Sequence, residues 1–207
     1  LLEEERRLRI LLRKNARLHL LGRSAEQEAV IEEARVLAHD ASSQAKVEDA
    51  AGELSARSGQ QDAARQHFEQ SLALHRETGD RRGEAGALQG LGRVDLALGL
   101  SDAAQAKFEQ ALAIVREIGD RSAEGAALGL LGNVLHAIGR HEEARRRLEP
   151  DLAICREIGN RLGEAGATGN LGNVLYALGR FDEARAQYER SLVISREIGN
   201  RRGEAIT

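Results

Sequence analysis

Asparagine side chains are the groups in this sequence whose type and spacing best fit a defined chemistry. An asparagine amide carries hydrogen-bond donors and an acceptor, which together match the N–H and C=O groups of a peptide backbone. Asn133 and Asn173 stand 40 residues apart in the closely similar strings LGNVLHA and LGNVLYA, and Asn170 precedes the second string by one residue. These amides have the chemistry to pair with a peptide backbone.

Residues suited to catalysis or metal binding form no comparable pattern. The histidines show no HExxH or other metal-ligand spacing, and the sequence contains neither a GxxxxGK[ST] phosphate loop nor a GxSxG nucleophile elbow. Cys155 is the only cysteine, so no internal disulfide can form. We therefore expect no catalytic residue, no metal and no cofactor. The histidines are His19, His39, His67, His75, His136 and His141.

Composition and charge narrow the class of protein further. With 42% hydrophobic and 30% charged residues the chain fits a folded protein, and a single proline in 207 residues favours helix. A net charge of −3, the scarcity of lysine and 2% aromatic residues all oppose nucleic-acid binding. No apolar run approaches the roughly 18 residues of a membrane span. We expect a cytoplasmic protein that binds neither nucleic acid nor membrane.

An internal repeat of 40 residues organises the chain. The string RETGDR at Arg76 recurs as REIGDR from Arg116, as REIGNR from Arg156 and as REIGNR from Arg196. Two further markers share this period, a glycine and an acid three residues after it. The glycines are Gly59, Gly99, Gly139 and Gly179, and the acids are Asp62, Asp102, Glu142 and Asp182. Three markers with one period indicate a repeated structural unit.

The glycines divide each repeat into two helices, A and B. Those of the RETGDR series are predicted to adopt the left-handed conformation after helix B, and the Asp or Asn that follows is predicted to cap the next helix A. The recurring Arg-Glu string is expected to form structural ion pairs with the next turn, such as Arg81 and Glu84. Helical spacing predicts a core from Leu128, Leu131, Val134, Leu135 and Ile138 facing Ala144, Leu148, Leu152 and Ile158.

These markers predict a division into repeats. Residues 1–40 form a divergent helical hairpin with its turn at Gly22, four repeats occupy 41–80, 81–120, 121–160 and 161–200, and 201–207 begin a truncated further repeat. The absence of methionine and the stop within a repeat predict that the sequence is an excerpt of a longer protein. In isolation its truncated repeat ends are expected to favour self-association.

The strings LGNVLHAIGRHEEA from Leu131 and LGNVLYALGRFDEA from Leu171 resemble the signature of the tetratricopeptide repeat family. The period of 40 exceeds the usual ~34 residues, and Arg stands where the family closes with proline. This extended form is similar to the repeats of kinesin light chains and of bacterial signal-transduction ATPases. The signature's Leu-Gly pairs are Leu91-Gly92, Leu131-Gly132 and Leu171-Gly172, its small residues Ala64, Ala104, Ala144 and Ala184, and its aromatic position Phe68, Phe108, Leu148 and Tyr188.

The resemblance implies an all-α fold, a right-handed superhelical solenoid of antiparallel helix hairpins whose A helices line a concave groove. In this family, asparagines at matching positions grip an extended peptide. Arg93 and Glu53 replace Asn133 in the second and first repeats, so the row of asparagines is incomplete. The predicted groove residues are Gln89, Arg93, Asn133, His136, Asn170, Asn173 and Tyr176.

Additional glycines in the A helices are expected to leave the wall of this groove bare, so that a ligand backbone can come close. The alternative is that they permit tight packing between neighbouring A helices. They are Gly86, Gly90, Gly125, Gly129, Gly166 and Gly169.

The resulting prediction is a protein-interaction scaffold within a larger bacterial signalling or regulatory protein, binding a peptide or partner segment in the groove. A structural spacer or oligomerisation arm without a peptide ligand is the alternative. Nucleic-acid binding and catalysis rank below both. Pro150, which lies nine residues into helix B of the third repeat, is expected to remove one backbone hydrogen bond and weaken that repeat.

Overall fold

Short turns, most of which contain a glycine, separate helices of similar length in the part of the chain that the computed structural model describes, residues 2–200. The all-α class predicted from the sequence is confirmed, and no strand occurs within residues 2–200. The helices are α1 (Leu2–Leu20), α2 (Ser24–Leu37), α3 (Ala41–Arg57), α4 (Gln61–Thr78), α5 (Arg81–Ala97), α6 (Ser101–Glu117), α7 (Arg121–Ala137), α8 (His141–Glu157), α9 (Arg161–Ala177) and α10 (Phe181–Glu197). We refer to α1, α3, α5, α7 and α9 as A helices and to α2, α4, α6, α8 and α10 as B helices.

The predicted turn chemistry is confirmed at the end of α4. Gly79 has φ +69°, and the N–H groups of Gly79 and Asp80 donate to the carbonyls of Arg76 and His75 at 3.3 and 2.9 Å. This pair of bonds satisfies carbonyls that a helix end would otherwise leave unpaired. The Asp80 carboxylate then accepts from the N–H of Gly83 at 2.9 Å and caps α5. Asp120 and Asn160 cap α7 and α9 in the same way.

The chain folds as two compact units, Leu1–Ile114 and Val115–Thr207. Within the first unit, α1 packs on α2 and α3 packs on α4, and the A helices α1, α3 and α5 contact one another in sequence. Within the second unit, α7 packs on α8 and α9 packs on α10, while the A helices α7 and α9 are again neighbours. The repeat boundaries proposed from the sequence stay a prediction, and the predicted start of a further repeat at 201–207 lies outside the described residues.

The two helices of a hairpin meet most closely at the glycine of each Leu-Gly pair. A Cβ at Gly92 would lie 2.5 Å from Cε1 of Phe108, and a Cβ at Gly132 would lie 2.5 Å from Cγ of Leu148. Real Cβ atoms do not approach other carbon atoms so closely, so only glycine admits these side chains. Gly52 with Phe68 and Gly172 with Tyr188 repeat the arrangement. The signature glycine and the aromatic position are therefore two halves of one contact.

The predicted core of the third repeat is correct except at one end. Leu128, Leu131, Val134 and Leu135 are buried, as are Ala144, Leu148 and Leu152, and Ile138 is partly buried. Ile158 was expected to face helix A, which is wrong, because it follows the last residue of α8 and is 40% exposed. Ile154 and Cys155, about one turn earlier, are buried instead.

Pro150 lies inside an uninterrupted α8, which runs from His141 to Glu157. Because proline has no N–H, the carbonyl of Arg146 lacks its helical donor, and the ring crowds the preceding turn. Pro150 is solvent-exposed, so no buried contact offsets this loss.

We predict that Pro150→Ala stabilises the protein by about 1–3 kcal/mol, because it restores the missing backbone hydrogen bond and relieves the crowding. Thermal unfolding followed by circular dichroism measures the change. The equivalent residue of α6 is Gln110, so Gln110→Pro serves as the reverse variant and should lower the melting temperature. An unchanged or lower melting temperature for Pro150→Ala would contradict the prediction.

Candidate functional site

The A-helix face is the strip of each A helix that carries the predicted groove residues. Asn133 and Asn173 are exposed, as is Arg93, while Gln89 and Asn170 are partly buried. Its members are Lys46, Asp49, Ala50 and Glu53 of α3, Gly86, Gln89, Gly90 and Arg93 of α5, Ala126, Gly129, Leu130 and Asn133 of α7, and Gly166, Gly169, Asn170 and Asn173 of α9. Arg93, Asn133 and Asn173 share one repeat position, and the other predicted residues lie three or four residues from it. Their part in ligand binding stays a prediction.

A groove of about 640 Å³ runs along this face in the first unit, between α1 and α3. Its α3 wall consists of Lys46, Asp49, Ala50 and Glu53, and the last three occupy the repeat positions of the predicted groove residues Gln89, Asn170 and Asn133. Sequence analysis did not assign this groove, because α1 belongs to the irregular first 40 residues. The 40-residue register of α3 was the signal that could have located it. The α1 wall is formed by Leu12, Asn15, Ala16, His19 and Leu20.

One position of the face differs sharply between repeats. Arg93 of α5 donates a hydrogen bond to Glu53 of α3, its equivalent one repeat earlier, so the two side chains pair across neighbouring A helices. Both side chains are more than 40% exposed, so this ion pair contributes little to stability. Asn133 and Asn173 hold the same position in α7 and α9. At this position the A-helix face thus carries an ion pair in the first unit and asparagine side chains in the second.

The predicted asparagines keep most of their hydrogen-bonding capacity available. Asn133 and Asn170 make no side-chain hydrogen bond with any described residue, and neither does Gln89. The Asn173 side-chain oxygen accepts from the Tyr188 hydroxyl at 2.8 Å, which leaves its amide N–H groups for a ligand. These groups can pair with a peptide backbone that lies along the helices.

His136 and Tyr176 both pack against the first residue of the following B helix. The Nδ1 atoms of His136 and His141 lie 3.2 Å apart, and burial followed by the charge of His141 lowers the pKa of His136. Tyr176 meets Phe181 edge to face at 5.2 Å and is 61% exposed, so a ligand can reach its ring. No group of three or more His, Cys, Asp or Glu side chains within residues 2–200 could hold a metal ion.

Three of the additional glycines have a packing role that the expectation of a bare groove wall did not include. A Cβ at Gly90 would lie 2.6 Å from the Phe68 ring of the preceding B helix, and Cβ atoms at Gly125 and Gly129 would crowd side chains of α8. These glycines make room for side chains of B helices, which differs from the alternative of packing between A helices. Gly86 and Gly166 are exposed and have no neighbouring side chain within 4 Å of a Cβ, so they alone fit the original expectation fully.

Buried glutamates tie each repeat to the one before it. Glu84 of α5 accepts hydrogen bonds from Arg76 and Arg81, and Glu164 of α9 does so from Arg156 and Arg161. Burial alone would raise the pKa of Glu84, but the two arginines outweigh it and the pKa is lowered. The predicted structural pairing is confirmed. Glu84 and Glu164 are buried, so the loss of their arginine partners would leave a buried charge without compensation.

Asp151 of α8 is a buried carboxylate without a cationic partner. It is 6% exposed, and the Cys155 thiol, whose Sγ lies 3.5 Å from Oδ1, is its only hydrogen-bond partner among the described residues. Burial raises the pKa of Asp151 to about 6, against the opposing effect of the Cys155 hydrogen bond. Burial, with Asp151 second, raises the pKa of Cys155 to about 11, so the thiol stays protonated. Sequence analysis overlooked Asp151, since its burial depends on how α8 packs against α7.

One known protein family matches most of the chain. The tetratricopeptide repeat family matches residues 43–117, 83–157 and 123–197 in overlapping registers. The resemblance inferred from the sequence is therefore confirmed over about three quarters of the chain. No curated protein matches the sequence. No helix within residues 2–200 has the length and apolar character to cross a membrane.

Three solved structures with the same fold relate to the family resemblance seen in the sequence. A Rap protein complexed with Competence and Sporulation Factor is 15% identical with a TM-score of 0.84, over 94% of this chain and 55% of that one. A putative kinesin light chain with TPR-like repeats from Podosopora anserina is 20% identical with a TM-score of 0.70, over 93% and 96%. A signal transduction ATPase with a tetratricopeptide repeat sensor from Pyrococcus horikoshii is 17% identical with a TM-score of 0.75, over 88% and 30%. This chain spans about half of the Rap protein and less of the ATPase, and the likeness shows the fold alone.

We predict that Asp151→Ser stabilises the protein at pH 7.5 and not at pH 4. The folded state binds the Asp151 proton more tightly than the unfolded state, so stability falls as pH rises from about 4 to about 6. The difference between 3.8 and about 6 corresponds to a cost of about 3 kcal/mol above that range. Urea unfolding at the two pH values measures the gain. Asp95→Ser is the control and should destabilise at pH 7.5, because Arg65 and Lys107 would lose their buried partner.

We also predict opposite effects of alanine at two glycines of α5. Gly86→Ala should stabilise by about 0.5–1 kcal/mol, because alanine lowers the entropy of the unfolded chain and its Cβ meets nothing. Gly92→Ala should destabilise by about 1–3 kcal/mol, because its Cβ would displace the Phe108 ring. Thermal unfolding measures the melting temperatures of the two variants. Equal shifts in melting temperature would refute the assignment of Gly92 to the hairpin contact.

Proposed function

The chain belongs to the tetratricopeptide repeat family, and from this we propose that it is a protein-interaction scaffold that binds an extended peptide or partner segment along the A-helix face. The observation that carries the proposal is the unpaired amide chemistry of α7 and α9. Asn133 and Asn170 have no side-chain partner among the described residues, and Asn173 keeps its N–H groups available.

Peptide binding fits the shape and chemistry of the face better than catalysis does. An extended segment presents alternating N–H and C=O groups, which the amides of Asn133 and Asn173 can pair with in succession. Tyr176, which is 61% exposed at the end of α9, adds a flat aromatic surface for a ligand side chain. The groove between α1 and α3 extends the same kind of surface to the first unit.

The relatives support a role in regulation. One is a Rap protein complexed with Competence and Sporulation Factor, and another is a signal transduction ATPase whose tetratricopeptide repeats form a sensor. By analogy, we assign this chain to a larger bacterial signalling or regulatory protein of the cytoplasm. It would supply the partner-binding arm of that protein and perform no chemistry itself.

A structural spacer or oligomerisation arm is the second candidate. The ion pair between Arg93 and Glu53 favours it for the first unit, since it occupies the position that asparagine holds in the second unit. A spacer would bind no peptide, and its surface amides would be dispensable.

Peptide selection tests the proposal. A random peptide library displayed on phage is selected on the 207-residue chain, and the recovered peptides are titrated calorimetrically. We predict that changing Asn133, Asn170 and Asn173 together to alanine weakens binding at least tenfold, about 1.4 kcal/mol, because backbone hydrogen bonds are lost.

The control removes the same number of amides from exposed positions of the B helices. Gln66, Gln70 and Gln110 are exposed on α4 and α6, and their combined replacement by alanine should leave the dissociation constant unchanged. The proposal fails if no peptide is recovered, or if both triple variants bind as the wild type does. Recovery of no peptide together with concentration-dependent self-association in sedimentation would favour the spacer.

A further inference from the structure

Three equivalent positions of the hairpin hold an acid–base cluster in the first repeat and an incomplete version of it in the third. One position lies on helix A and two lie on helix B, four residues apart. They are occupied by Asp49, Ser71 and His75 in α3 and α4, and by Gly129, Asp151 and Cys155 in α7 and α8. The 40-residue register makes the comparison direct, because the two sets are separated by two periods.

The cluster of the first repeat is complete. The Asp49 carboxylate accepts a hydrogen bond from the Ser71 hydroxyl, and its other oxygen lies 3.0 Å from Nε2 of the buried His75. An acid on helix A therefore faces a base on helix B. Asp49 also lines the groove between α1 and α3, so this position is accessible from the A-helix face.

In the third repeat the acid lies on helix B instead of helix A, and a cysteine holds the position of the histidine. Asp151 is 6% exposed and has only the Cys155 thiol as a partner. Glu164 of the adjacent α9 adds negative charge nearby, and its own partners Arg156 and Arg161 are bonded to it rather than to Asp151. A buried carboxylate without a cation is unfavourable, and a cationic group of a ligand would remove that cost.

Gly129 gives this carboxylate a route to the A-helix face. A Cβ at position 129 would lie 2.8 Å from Oδ2 of Asp151, so any side chain there would crowd or cover the carboxylate. Gly129 is only partly buried, and it holds the position of Asp49, which lines the groove of the first unit. Oδ2 of Asp151 consequently lies directly beneath the face.

We propose that Asp151 forms the base of a specificity pocket for an arginine or lysine side chain of the bound peptide. The guanidinium or ammonium group passes over Gly129 and pairs with Oδ2 of Asp151, which completes the acid–base cluster that Asp49 and His75 form within the first repeat. The other repeats carry Ser71, Ala111 and Ser191 at this position, so the third repeat alone provides the pocket among the four. The inference rests on the proposed peptide binding and adds the identity of an anchoring residue.

Two parallel phage selections test the pocket, one on the wild-type chain and one on Asp151→Ser. Serine occupies the equivalent positions in α4 and α10, so the variant is expected to fold, which a thermal melt verifies. We expect arginine or lysine to be enriched at one peptide position by the wild type and not by the variant. Replacing that arginine by citrulline, or that lysine by norleucine, in a synthetic peptide should weaken binding to the wild type at least tenfold and leave binding to Asp151→Ser unchanged.

The failures of the two proposals are distinguishable. Peptides that depend on Asn133, Asn170 and Asn173, yet bind wild type and Asp151→Ser equally and tolerate the neutral replacement, would overturn the pocket and leave the peptide-binding function intact. Recovery of no peptide would overturn both. If Asp151→Ser fails to fold, Asp151→Asn replaces it in the same titrations, because it preserves the shape of the side chain and removes the charge.

Discussion

The contact between a glycine of helix A and a large side chain of helix B is the constraint on which the rest of this structure depends. Phe108 and Leu148 fit against α5 and α7 only because Gly92 and Gly132 have no Cβ. The contact brings the two helix backbones close and fixes their relative rotation. Once that rotation is set, the A helices of successive hairpins within a unit become neighbours, and one strip of each turns outward to form the A-helix face.

The buried glutamates at the junctions between repeats are paired with arginines, and Asp151 departs from this pattern. Glu84 and Glu164 are buried with two arginines each, and these arginines compensate for the cost of burying the carboxylates. Asp151 is buried with a thiol alone, and its raised pKa is the physical sign of that imbalance. Local features that oppose stability concentrate at functional sites, because selection for binding tolerates a cost that packing alone would remove.

The two units use one architecture to display different chemistry. At a single repeat position, α3 and α5 carry the Glu53 and Arg93 pair, whereas α7 and α9 carry Asn133 and Asn173. Of these residues, Asn173 accepts a hydrogen bond from Tyr188, whose ring packs against Gly172, whereas Asn133 makes no side-chain hydrogen bond with a described residue. The residues of the A-helix face can therefore differ between repeats that share the same fold.

The sequence by itself determined the helices, their turns and the family, because these rest on interactions within a few residues. Gly79 and Asp80 specify a turn and a cap through hydrogen bonds to their immediate neighbours, so a 40-residue period is enough to locate them. The tertiary structure decided which side of a helix packs and which stays open. Gly86 and Gly90 are one turn apart on α5, yet only Gly90 meets Phe68, and the buried Asp151 of α8 lies against Gly129 of α7. Such contacts join residues from different helices, and helical spacing within one segment contains no information about the neighbour that packs against it.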